Sequence, residues 1–202
     1  MKKLPEWPLI FNKQSLSVTG PYDVIHRPPE SDQLDYEGEL AFVINKRWRR
    51  VPIEEAYSVI AGYTIINDVS VRDWQIRKPI YPHTMGKSWD THCPTGPSIV
   101  TTDELTDPHV LDLTTTVNGE VRQQANTDDF IFNIPWIVNH LTTAFTMEAG
   151  DIVTTGTPSG VALFFDPPRF LKAGDKVKVT ISGIGEIENE VIEEPVSETT
   201  LY

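Results

Sequence analysis

Asp35, Glu37 and Glu39 stand at every second position of LDYEGELAFVIN, residues 34–45, before the chain turns apolar. On a β-strand, side chains two residues apart share a face. Carboxylates crowded on one face repel and raise one another's pKa. Either the acids sit on a solvated strand edge, or a hard divalent cation gathers their oxygens, as Mg²⁺ and Ca²⁺ prefer. Leu40 and Phe42 carry the strand toward the core, so Glu37 and Glu39 mark its entrance. A cation would need a third ligand from elsewhere, and Asp68 is the candidate. In IINDVSVRDWQ a run of isoleucines gives way to Asn67, Asp68, Arg72, Asp73 and Gln75. That is the pattern of a strand delivering functional groups at its end. The plainer reading is an ion pair between Arg72 and Asp68 or Asp73.

Two further stretches carry reactive groups. In HTMGKSWDTHCPTGPSIV, Lys87 follows Gly86 in a polar loop, with His83 and His92 on either side. A lysine here is a solvated surface charge, or else an inward-facing donor to a developing oxyanion or a proton shuttle. Each histidine taken alone is an ordinary loop residue. VTTGTPSGV sets Thr154, Thr155, Thr157 and Ser159 among glycines. It is either a tight turn or a nest of hydroxyls and N–H groups able to hold a carboxylate.

The elements that must position these groups follow from periodicity and punctuation. DYEGELAFVI and YTIINDVSVRDW read as strands, separated by PIEEAYSVIAG, a short helix with Pro52 near its first turn and Gly62 past its end. Residues 76–92 read as a loop and PSIVT as a strand. LDLTTTVNGEVRQQANT is a hairpin around Asn118–Gly119, the strongest two-residue turn signal. NIPWIVNHLTTAFT is the longest predicted helix, opened by Pro135, with Ile134, Ile137, Val138, Leu141 and Phe145 at helical spacing. GDIVTTGTPSGV is a strand entering a glycine turn, and the stretch AGDKVKVTISGIGEIENEVIE makes two strands around Gly183–Gly185. Residues 1–33, rich in turn signals, are expected to form an N-terminal hairpin or turn region. Short strands with two small helices give a mostly β, α+β fold.

Composition bounds the rest. A chain of 202 residues, 39% hydrophobic with 16 prolines and 12 glycines, fits one turn-rich domain, residues 1–202. A net charge of −12 argues against nucleic acid or an anionic membrane as partner. No apolar run approaches the roughly 20 residues that span a bilayer, and MKKLPEWPLIFNK makes a poor signal peptide. Cys93 is the only cysteine, which fits a reducing, cytoplasmic setting.

Taken in order, DYEGELAFVI, AGYTIINDVSVRDWQ, GKSWDTHCPTGPSIVT, VNGEVRQQANTDDFIFNIPWIV and GDIVTTGTPSGV resemble the fumarylacetoacetate hydrolase family over about residues 30–165. The resemblance implies a mixed β-roll with short helices, assembled as a homodimer or larger. It implies Mg²⁺ or Mn²⁺ held by Glu37, Glu39 and Asp68, with Arg72, Gln75, Lys87 and Thr157 around the substrate. Family members hydrolyse, decarboxylate or isomerise small 2-oxo or 2,4-dioxo acids. A 2-oxo acid chelates the metal, which polarises the keto group, and the charge of the resulting enolate rests on the metal and Lys87. Hydrolytic members carry an Asn-Tyr pair, a histidine and a glutamate on an N-terminal lid. This chain's first residues align just after that block, an expectation that disfavours hydrolysis relative to decarboxylation or tautomerisation, with His83 the nominated substitute base. The competing expectation is a metal-binding subunit without activity. Selectivity is assigned to residues 76–85 and 162–170.

Overall fold

The computed structural model describes residues 4–195. Twelve strands carry it: β1 (Val18–Thr19), β2 (Ile25–Arg27), β3 (Leu34–Asp35), β4 (Gly38–Ile44), β5 (Ile60–Asn67), β6 (Ser70–Val71), β7 (Cys93–Thr101), β8 (Asp112–Val117), β9 (Glu120–Asn126), β10 (Ile152–Thr154), β11 (Lys176–Ile181) and β12 (Gly185–Glu193). Three α-helices accompany them: α1 (Arg72–Gln75), α2 (His83–Lys87) and α3 (Ile134–Ala144). One sheet runs β1-β7-β5-β4-β10, a second β2-β12-β11-β8-β9, and β3 pairs with β6 in a small ribbon. The β1/β7 and β2/β12 pairs are parallel and the others antiparallel, so the mostly β, mixed-roll expectation holds.

Every residue of β4 is buried, which is why GELAFVI reads as an unbroken apolar run after Glu39: a strand covered on both faces loses its alternation. β11 instead alternates, burying Val177, Val179 and Ile181 and turning its lysines outward. Leu40 and Phe42 of β4 pack with Val179, Ile181 and Ile187, and with Ile134, Val138 and Leu141 of α3. Each such side chain contributes about 1.5–3 kcal/mol through burial. α3 begins where predicted: Asn133 caps it by accepting the Trp136 N–H at 2.9 Å. It ends at Ala144, leaving Phe145 half-exposed rather than on the apolar stripe. The Asn118–Gly119 hairpin forms with both residues at positive φ, 53° and 79°, the backbone a type I′ turn requires.

Three expectations are corrected and one is narrowed. The segment after Pro52 is a 3-10 helix, Ile53–Val59, and Gly62 lies inside β5 rather than beyond the helix. A Cβ at Gly62 would come 2.4 Å from the Val100 carbonyl oxygen, so close pairing with β7, not capping, selects glycine there. The second acidic stretch is not one strand: β5 stops at Asn67, and the chain passes through β6 into α1. Residues 76–92 contain α2, so Lys87 ends a helix. Among the described residues, residues 4–33 form a turn region rather than a hairpin, because β1 and β2 pair with β7 and β12 in different sheets. Among the described residues, no helix is long and apolar enough to cross a membrane.

Candidate active site

The register of β4 against β5 builds the acidic cluster. Gly38 pairs with Asn67 and Glu39 with Ile66. One step beyond, the Asp68 N–H donates to the Glu37 carbonyl at 2.8 Å, and the Glu37 N–H donates to the Asn67 side-chain oxygen at 3.0 Å. These bonds pin Asp68 opposite Glu37 where β5 breaks. Glu37, Glu39 and Asp68 each offer a carboxylate oxygen within 4.8 Å of the others, and all three are buried. Asp35 is not part of the cluster. Its carboxylate accepts from the Ala162 and Leu163 N–H groups at 2.8 and 3.0 Å and from Arg72 Nε at 2.8 Å. The alternation at 35, 37 and 39 thus breaks at Tyr36, between β3 and β4.

Two ammonium groups balance the cluster. Lys87 Nζ donates to Glu37 Oε2 at 2.7 Å and Asp68 Oδ2 at 2.8 Å, and is buried. The inward-facing reading of this lysine is the correct one. Its placement depends on Gly86: a Cβ there would lie 2.5 Å from the Gln75 backbone, so α2 packs on α1 at glycine distance. Lys13, which no motif singled out, donates to Asp68 Oδ1 at 2.7 Å, to the Val69 carbonyl at 3.3 Å and to the Lys87 carbonyl. Burial would raise the Asp68 carboxyl, but Lys13 and Lys87 outweigh it and hold it below its usual range. Burial works against the Lys87 charge as well, yet Glu37, Asp68 and Glu39 hold its pKa above the ordinary value. Glu39 is the acid left short of positive charge. Burial first, then Asp68 and Glu37, push its pKa to about 8.

Arg72 supports the rim. Its Nη1 lies 2.6 Å from Glu37 Oε1 and donates to Gln75 Oε1 at 2.9 Å, while Nη2 is buried without a partner. Neither Asp68 nor Asp73 pairs with it, and Asp73 accepts from Ser31 Oγ at 2.6 Å instead. Thr157 Oγ1 donates to the Gly38 carbonyl at 3.0 Å and accepts from Gln123 Nε2 at 2.8 Å. Gln123, also missed by sequence reasoning, takes the Gly38 N–H on its other end at 3.0 Å. It ties the hairpin, the acidic strand and the glycine turn together. Its only signal was a polar residue on an inward position of β9.

A cavity of about 490 Å³ opens over these groups. Glu37, Arg72, Gln75 and Thr157 line it, with Ser159 and His83; Ile76, Tyr81, Pro158, Val161, Leu163 and Phe164 give it an apolar wall. The two segments assigned to selectivity both reach this wall. Glu39, Asp68 and Lys87 do not line it and are buried beside Glu37. His92 belongs elsewhere: it is buried, 2.8 Å from the His26 carbonyl oxygen, and burial drives its pKa down to about 3, so it is a neutral core residue.

The residues fit a divalent cation. Three hard oxygen donors converge, and around Glu39 burial and the neighbouring acids outweigh Lys87, a shortfall of positive charge that a cation would make good. Deprotonated Glu37, Glu39 and Asp68 would hold it, and it would supply Lewis-acid polarisation of a keto group.

This fold and site place the chain in a class already defined by sequence. The chain belongs to the fumarylacetoacetate (FAA) hydrolase C-terminal family, whose pattern matches residues 1–192. It is 46% identical over 189 residues to oxaloacetate tautomerase YisK of Bacillus subtilis, covering 93% of this chain and 62% of that protein. The human mitochondrial oxaloacetate tautomerase FAHD2A is 42% identical, over 94% of this chain and 60% of its own length. Among solved structures, fumarylacetoacetate hydrolase from Exiguobacterium antarcticum superposes with a TM-score of 0.88 at 41% identity, covering 92% of this chain and 66% of that one. Maleylpyruvate hydrolase from Sphingobium sp. SYK-6, in complex with manganese(II) and pyruvate, gives a TM-score of 0.79 at 34% identity, over 91% and 64% of the two chains. The chain thus spans about 60% of the length of these tautomerases, and the position of its first residues carries no weight against hydrolysis.

Proposed function

We propose that this chain is a divalent-metal-dependent enzyme that enolises small 2-oxo acids, tautomerisation of an oxaloacetate-type acid being its reaction. The observation that carries the proposal is the convergence of Glu37, Glu39 and Asp68 within 4.8 Å beside a cavity walled by Arg72, Gln75 and Thr157. The unpartnered Arg72 Nη2 is a donor for the substrate carboxylate. Thr157 and Gln75 orient the acid, and Lys87 stabilises the negative charge that develops on the keto oxygen. The names of the two tautomerases support this choice over C–C cleavage, and the manganese and pyruvate of the maleylpyruvate hydrolase complex support the ligand class.

The same reading takes Mg²⁺ or Mn²⁺ as cofactor, a second copy of this chain as assembly partner, and neither nucleic acid nor membrane. A cytoplasmic setting rests on Cys93, a free and buried thiol. Glu39→Ala is the test: it removes one of three protein ligands, and calorimetry should show Mg²⁺ binding lost together with EDTA-sensitive tautomerisation. Wild-type Mg²⁺ affinity in that variant would refute the ligand assignment.

A further inference from the structure

Proton abstraction from carbon needs a base that is free to accept, and the cavity's other groups are not. Glu37 is engaged by Arg72 and Lys87, Arg72 stays protonated, and the Thr157, Ser159 and Tyr81 hydroxyls are weak bases. His83 differs. Its ring lines the same cavity as Glu37, Arg72, Gln75 and Thr157. Its Nδ1 lies 2.9 Å from the Tyr81 carbonyl oxygen, which also accepts the His83 backbone N–H at 2.9 Å. A carbonyl only accepts, so Nδ1 carries the hydrogen, and in the neutral imidazole the lone pair then belongs to Nε2. Among the described residues, Nε2 has no hydrogen-bond partner. Tyr81 presents that carbonyl from a left-handed backbone, φ 43°, which a non-glycine residue keeps only where its surroundings hold it. The imidazole stacks on Phe11 at 6.0 Å between centroids, and Lys87 Nζ lies 5.2 Å from the same Phe11 ring. One aromatic side chain thus packs against both the histidine and the buried ammonium.

We propose that His83 is the general base that removes the proton from carbon 3 of the bound 2-oxo acid, a role that rests on the metal-site reading above. Nε2 takes the C3 proton, and the C–H pair becomes the C2–C3 double bond. The carbonyl π pair moves onto the C2 oxygen. That oxygen then takes a proton back from the imidazolium, directly or through one water, which yields the enol and restores neutral His83. Keto acid and enol have the same composition, so no further reactant enters.

The test uses the full chain with Mg²⁺, pyruvate as probe and NMR detection of methyl deuterium uptake in D₂O. His83→Gln should lower Mg²⁺-dependent exchange about 100-fold or more, the low end of what a positioned base contributes. It should leave calorimetric affinity for Mg²⁺, and for oxalate on the Mg²⁺-loaded protein, unchanged. Added imidazole should restore exchange in His83→Ala. The proposal is overturned if His83→Gln exchanges deuterium within a few-fold of wild type, or if the wild type binds Mg²⁺ and oxalate without exchanging. In both cases retained binding leaves the metal-site reading standing. A wild type that binds no Mg²⁺ sinks both.

Discussion

Lys87→Met separates the two cations that compete for the same oxygens. The Lys87 ammonium is 2.7 Å from Glu37 Oε2 and 2.8 Å from Asp68 Oδ2, and both acids belong to the candidate ligand set. A cation bound by the triad therefore has Lys87 as an immediate like-charged neighbour. A unit charge and a divalent ion about 4 Å apart repel by about 8 kcal/mol at an effective dielectric of about 20. The ammonium swings away when the ion binds and so avoids most of this, which leaves a gain of about 1.4–2.8 kcal/mol on its removal, a ten- to hundred-fold tightening of Mg²⁺ or Mn²⁺ binding. The metal-free variant pays in stability, because two buried carboxylates lose a partner. Arg72 still pairs with Glu37 at 2.6 Å and Lys13 with Asp68 at 2.7 Å, so the loss should be near the lower end of what breaking a buried pair costs, about 3 kcal/mol. Excess metal should recover much of it. Calorimetric titration with Mn²⁺ and thermal unfolding in EDTA and in Mn²⁺ measure both quantities. Unchanged or weaker Mn²⁺ affinity, or the same stability loss with and without Mn²⁺, would refute the competition. Turnover should fall despite the tighter metal, since the developing charge loses its donor.

Glu39, with a pKa near 8, is mostly protonated at pH 7 in the metal-free protein. Metal binding must displace that proton, so Mg²⁺ affinity should rise from pH 6 to about 8 and then level off, and calorimetry in buffers of different ionisation enthalpy should register proton release at pH 7. Because this folded pKa lies above the ordinary glutamate value of 4.5, the group's contribution to metal-free stability is full at low pH and is lost as pH rises through about 8; Glu39→Gln should flatten that part of the stability profile. Gly86→Ala should displace α2 from α1, since the new Cβ would sit 2.5 Å from Gln75. We expect destabilisation of about 1–3 kcal/mol and a reduced turnover as Lys87 moves, measured by denaturant unfolding and tautomerase assay. A variant with wild-type stability and rate would show that the contact relaxes freely.

Local pattern was enough to read the Asn118–Gly119 hairpin, the Asn133-capped helix and the pairing of Glu37 with Glu39, because each depends on side-chain period and backbone conformation over a few residues. Asp68, Arg72, Gln75, Lys87 and Thr157 were legible through the five blocks and their order. What the tertiary structure alone decided are contacts between distant positions. Lys13 meets Asp68 across 55 residues and Gln123 meets Gly38 across 85, and no local periodicity encodes such pairs. Asp35 looked equivalent to its neighbours at 37 and 39, yet it serves the Ala162 and Leu163 N–H groups, because the break between β3 and β4 turns its side chain out of the shared face. For His83, sequence spacing supplied the residue, but only the carbonyl of Tyr81 determined which ring nitrogen is left to accept a proton.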